Sequence, residues 1–215
     1  MTTAALALVL AAWPAPLAEA LAPRSDEEVS FELFVSSGDF EAAAMVDTGT
    51  EPALTILRSS GEDDEARRHI EKDHADALRG EIWCDAFAEQ VPDDVEVLEE
   101  SGTSVTYRYP PLPSSAKDRG ERKFLENAVS TMSVTRAGED EPWRVADVVM
   151  TIERPFKPNV FAKVTGFELR FTCETAPGVE GRAYVAHRSM VLDIRAATQR
   201  MTMEQIREIA NVRRR

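Results

Sequence analysis

Apolar and polar positions alternate strictly over much of the second half of the chain. In GFELRFTCETAPG, Phe167, Leu169, Phe171 and Cys173 fall on one side, with Glu168, Arg170, Thr172 and Glu174 on the other. This period of two is that of a half-buried strand. It recurs in VEVLEE and SVTYRYP, which flank Ser101-Gly102-Thr103 as a hairpin. It recurs again in AVSTMSVTRA, in WRVADVVMTIERP and in RAYVAHRSMVLDIRA. About six strands joined by short or moderate turns, with no crossover helix between the later ones, predict an antiparallel sheet with one face covered and the other at least partly wet.

The first half reads differently. GEDDEARRHIEKDHADALRGEIWCDAFAEQV is rich in helix formers, with acids in its first turn. Ala66, Ile70, Leu78, Ile82 and Ala86 supply an apolar stripe, Gly80 is a point of kinking or division, and Pro92 ends the element. DFEAAAMVD, residues 39–47, is helical by composition with Asp39 as N-cap. Residues 25–36 carry two signals. Val29, Phe31, Leu33 and Val35 alternate as in a strand, while Ser25-Asp-Glu-Glu28 is a capping box. At the other end Thr202-Met-Glu-Gln205 is a second capping box, with Met203, Ile206 and Ile209 on one stripe, and predicts a helix over 202–212.

These elements predict an α+β fold: a curved antiparallel sheet of about six strands, with N-terminal helices and a short C-terminal helix packed on one face. The expected organisation is one domain over 25–215, helical over 25–92 and sheet-rich over 93–198. The element order resembles the helix-grip arrangement of START-like lipid-binding domains, the half-barrels of periplasmic lipoprotein carriers and the cone-shaped nuclear-transport-factor-2-like folds. The resemblance is one of order alone. No motif residues accompany it, so no functional positions are carried over.

Residues 1–20 predict a secretory signal peptide. An apolar stretch from Ala4 to Ala12 is followed by a proline-containing break and by small residues in A-x-A spacing, Ala18-Glu19-Ala20 and Ala20-Leu21-Ala22. The first is preferred as the cleavage site, because the second would leave Pro23 at the new terminus. The n-region carries no Lys or Arg. The apolar run is too short to cross about 30 Å of hydrocarbon, and no later segment is longer. Cys84 and Cys173, an even pair in a chain expected to be exported, predict a disulfide and a periplasmic or secreted location.

Charge narrows the partners. The formal net charge is −13, unevenly spread. Residues 26–100 hold 23 acids and 5 bases, and residues 101–215 hold 14 acids and 19 bases. This weighs against nucleic acid, which requires a concentrated cationic face. It leaves an acidic helical layer that suits a basic protein partner.

Candidate chemistry is sparse. Glu65, His69 and Asp73 stand four apart with His74 adjacent, but in RRHIEKDHAD they read as a solvated helix face rather than a metal site. His187 is a strand histidine. There is no G-x-S-x-G, P-loop or G-x-G-x-x-G, so no catalytic residue, cofactor or metal is assigned. Tyr107 and Tyr109, with Trp143, Phe156, Phe161, Phe167 and Phe171, give the sheet most of its aromatic surface. An apolar cleft between sheet and helices, lined by Tyr107, Tyr109, Met150, Phe167, Leu169 and Phe171, is the expected ligand site. The leading expectation is a non-enzymatic exported protein binding a lipid or another hydrophobic molecule. The alternative is an envelope protein-interaction module using the acidic face.

Overall fold

Buried and open positions alternate through residues 29–59 as well as through the second half, and both regions form strands. The computed structural model describes residues 13–24, 27–51, 53–116, 119–158, 162–177, 179, 182–196 and 199–215. Most of the expected signal peptide (residues 1–12), Ser25 and Asp26 of the first capping box, and Phe161 lie outside them.

The strands are β1 (Val29–Ser37), β2 (Phe40–Asp47), β3 (Leu54–Ser59), β4 (Glu96–Glu100), β5 (Ser104–Tyr109), β6 (Ala128–Thr135), β7 (Arg144–Ile152), β8 (Ala162–Thr175), β9 (Ala183–Ala196) and β10 (Gln199–Arg214). They form a single open antiparallel sheet in the order β3-β2-β1-β10-β9-β8-β7-β6-β5-β4. The first and last strands therefore pair in its interior, and β3 and β4 are its edges. Every sequential pair except β3 and β4 is adjacent in the sheet, joined by turns or loops, the longest of which, between β5 and β6, holds two short helical elements. The segment between β3 and β4 must pass from one edge of the sheet to the other, and it carries the helices across one face.

Helix α1 (Ala15–Ala20) precedes the sheet. On the crossing segment lie α2 (Asp63–Asp73), α3 (Ala75–Leu78) and the 3-10 helix η1 (Cys84–Gln90). A second 3-10 turn, η2 (Pro113–Ser115), and α4 (Arg119–Leu125) follow β5. The expected α+β class and antiparallel sheet are present. The strand count is higher than the six predicted, and three elements differ.

Residues 39–47 are strand β2, not a helix. Ala42 and Ala44 pack inward and are fully buried while Ala43 takes the other face, so tertiary pairing overrides alanine's helical propensity. Residues 202–212 belong to β10, held between β1 and β9, and no C-terminal helix forms. The long helix over 61–91 is divided into three. His74 leaves helical geometry, Gly80 turns with φ +79°, and Trp83 then pairs across to Tyr184 of β9. The Val185 amide donates to the Ile82 carbonyl at 2.8 Å, which draws this stretch onto the sheet as extended chain. For residues 29–36 the alternation prevails and they form β1.

Two main cores lie on the helix-bearing face. Ala66, Ile70, Ala77, Ile82 and Trp83 cover the inward side of β1–β3 and the adjoining parts of β9 and β10. Cys84, Phe87 and Val91 cover Tyr107, Met132, Val134 and Val148 of β5–β7. Helix α1 belongs to this second core. Leu17 and Leu21 are fully buried in it, the Trp13 indole donates to the Pro92 carbonyl at 2.8 Å, and Glu19 accepts from the Trp143 amide at 3.4 Å. The expected cleavage positions thus fall within α1 and directly after it.

Cys84 and Cys173 are joined, as their number and context predict. The bond ties η1 to β8. Beside it Arg182 makes a bidentate pair with Asp85, at 3.0 and 3.2 Å, and its guanidinium lies 4.1 Å from the Trp83 ring centre. A disulfide is the stable form of paired cysteines in an oxidising compartment.

Candidate functional site

Pairing across the sheet brings inward side chains into rungs that run perpendicular to the strands. One rung reads Tyr107, Met132, Val148, Phe171, Arg188, Arg207 and Val35 from β5 to β1. The next reads Tyr109, Ser130, Met150, Leu169, Met190 and Gln205. All six residues expected to line a cleft share this face.

Four of them do line one. A groove of about 710 Å³ opens between the sheet and the short helices, with Met150, Phe167, Leu169 and Phe171 on its floor. Met190 and Leu192 of β9 continue that floor. Phe87 of η1 forms one wall, its ring 4.9 Å from Phe171, and Phe124 of α4 forms another, 5.2 Å from Phe167. Tyr107 and Tyr109 are core residues instead. Cover from η1 and α1 leaves Tyr107 in the second core, and burial raises the phenol pKa of both tyrosines.

Toward β10 the lining turns polar. Arg188 and Arg207 face each other on adjacent strands, and Asp76 of α3 reaches down to accept from Arg207 Nη1 at 2.8 Å. Burial pushes the Asp76 carboxyl up, but the Arg207 charge and hydrogen bond outweigh it and hold the pKa below its usual value. His74, buried beside them, is lowered to about 4 by desolvation first and then by the charges of Arg207 and Arg188. It is neutral at pH 7, with Nδ1 buried and without a hydrogen-bond partner.

The acids along the remaining rim sit near solvent. Asp73 is paired with His69 at 3.3 Å and Glu81 with Arg79 at 2.7 Å; Glu89 is exposed. His69 also stacks on Phe40 at 4.3 Å, so the Glu65, His69 and Asp73 series serves packing and pairing on α2. Among the described residues no cluster of three metal-ligating side chains occurs. His187 points to the other face and pairs with Glu208 at 3.5 Å.

The polar corner escaped the sequence reading. Its signal was there: Arg188 shares the parity of Met190 and Leu192, and an arginine on the apolar side of a strand calls for a partner. Arg207 was hidden by the helix pattern read over 202–212.

Comparison with protein-family models, curated proteins and solved structures finds no match for this chain. Its function is argued from the groove itself.

Proposed function

We propose that the protein is an exported, non-enzymatic binding protein that holds a hydrophobic small molecule between a curved sheet and its short helices. The observation that carries this reading is the groove floored by Met150, Phe167, Leu169, Phe171, Met190 and Leu192. Met150 is buried, but Phe167, Leu169, Phe171, Met190 and Leu192 remain only partly covered although they stand in the middle of the sheet. Interiors normally close over such surface, because each buried methylene stabilises by about 0.8 kcal/mol. A volume of about 710 Å³ lies within the range of small-molecule sites. Among the polar groups of the lining, the arginines Arg188 and Arg207 stand together at the β10 end, which gives a bound molecule an orientation. The disulfide accords with folding outside the cytosol.

Titration with the neutral fluorophore Nile red tests the reading. Saturable uptake is expected, and Leu169→Trp or Met190→Trp, which fill the groove, are expected to abolish it while the far-ultraviolet circular dichroism stays unchanged. Uptake that does not saturate, or that survives both substitutions, would sink the proposal.

A further inference from the structure

The apolar floor ends at two guanidinium groups, and the balance of charge there is incomplete. Arg188 and Arg207 are directly opposite on β9 and β10, an arrangement of like charges that destabilises a strand pair unless an anion joins it. Asp76 supplies one carboxylate, and Arg207 holds it. The Arg207 side chain is only 5% exposed, and its Nε is buried with no hydrogen-bond partner. Among the described residues Arg188 makes no hydrogen bond or ion pair, and burial followed by repulsion from Arg207 lowers its proton affinity. With His74 neutral, the two arginines meet one carboxylate at the sheet, that of Asp76; of the other acids in the lining, Asp73, Glu81 and Glu89 are exposed at the rim and Glu121 is on α4. Buried donors without acceptors are costly, more so when charged.

We propose that the groove binds an amphiphile with an anionic head, a carboxylate or a phosphate ester, held by Arg188 and Arg207 with its chain along Met190, Leu169 and Phe167. This rests on the reading of the groove as a hydrophobic site and adds the class of ligand. A planar guanidinium suits both heads, since each offers two oxygens to its fork. The geometry also gives a polarity: register places Arg188 beside Phe171, and Met190 and Leu192 lead away from it along β9. Head and chain therefore lie along one strand.

Four twelve-carbon ligands distinguish the possibilities by displacement of Nile red: dodecanoate, dodecyl phosphate, dodecanol and dodecyltrimethylammonium. Both anions are expected to bind at least about tenfold more tightly than dodecanol, the scale of one charge-assisted hydrogen bond in a dry site. The cation is expected to bind more weakly than the alcohol. Arg188→Gln should bring the anions to within about threefold of dodecanol measured on the same variant, whereas Arg188→Lys should keep most of the preference. A ranking of dodecanoate over dodecyl phosphate, or the reverse, identifies the head. Saturable dodecanol binding with no preference for the anions, or a preference untouched by Arg188→Gln, would overturn the headgroup assignment alone. Failure of all four ligands to displace the probe would overturn the hydrophobic site as well.

Discussion

His74 couples the stability of this fold to pH. Its nearest charged and titratable neighbours come from four elements: His69 on α2, Asp76 on α3, Arg188 on β9 and Arg207 on β10. The unfolded chain binds its proton near pH 6.5 and the folded chain only near 4. Between these values the unfolded state holds more protons, so stability rises with pH across the window and falls as pH drops through it. The full loss is about 3 kcal/mol, since a tenfold change in proton affinity is worth about 1.4 kcal/mol. Asp76, whose pKa is depressed, adds a further loss below the ordinary carboxylate range. Urea denaturation from pH 7 to 4 should show this decline, and His74→Gln should flatten it above pH 4. A second residue-scale prediction concerns Asp85. Its carboxylate faces Arg182, whose side chain is 6% exposed, and removing one partner of a buried pair is far worse than lacking both. Asp85→Ala should destabilise by roughly 3 to 5 kcal/mol, and adding Arg182→Met should recover part of it.

At the scale of elements, α1 has six residues and no side-chain cap, and could not persist alone in water. Its stability comes from Leu17 and Leu21 inserted among Cys84, Phe87, Tyr107 and Val134. Leu17→Ala should cost roughly 2 to 5 kcal/mol, depending on how far the surrounding side chains close the space. A chain beginning at Leu21 should unfold at lower denaturant than one beginning at Trp13, because it also lacks the Trp13 bond to Pro92. The strands that alternate apolar with polar, from β5 to β9, were legible because their inward positions are almost all apolar. Strand β10 was not, for two physical reasons. Its inward positions include Gln205 and Arg207, and the left-handed Asn211 bulges the strand against β1, which breaks the period before Val212. Strand β2 was hidden by alanines, whose small side chains fit beneath α2 and α3 but carry helical propensity. Four floor residues of the groove were legible for the same reason as their strand. The arginine corner was not, since it depends on β10 lying beside β9.

The whole molecule depends on how the segment between β3 and β4 crosses the sheet. Helices α2 and α3 cover one half and η1 the other, and the groove lies where that cover is incomplete, between η1, α3 and α4. The disulfide fixes the crossing segment near its middle, joining Cys84 at the start of η1 to Cys173 on β8, 89 residues away. In the chain-entropy account, closing a loop of that size stabilises by roughly 4 to 5 kcal/mol. The double variant Cys84→Ser/Cys173→Ser should therefore unfold at markedly lower urea, with a larger m-value, because the unfolded chain freed of the crosslink exposes more surface. The bond also bears on the site. Phe87 follows Cys84 by three residues, and its ring against Phe171 forms the groove wall. Without the tether η1 is held by the packing of Phe87, the Arg182–Asp85 pair, the Trp83–Tyr184 pairing before it and the Leu112 amide on the Gln90 carbonyl, all non-covalent, so the wall gains freedom that ligand binding must remove. Nile red affinity should fall in the double variant more than in Phe124→Leu, which alters the opposite wall but leaves η1 tied down. Equal affinities in the tethered and untethered proteins would show that the sheet floor, and not the placement of η1, determines what the groove can hold.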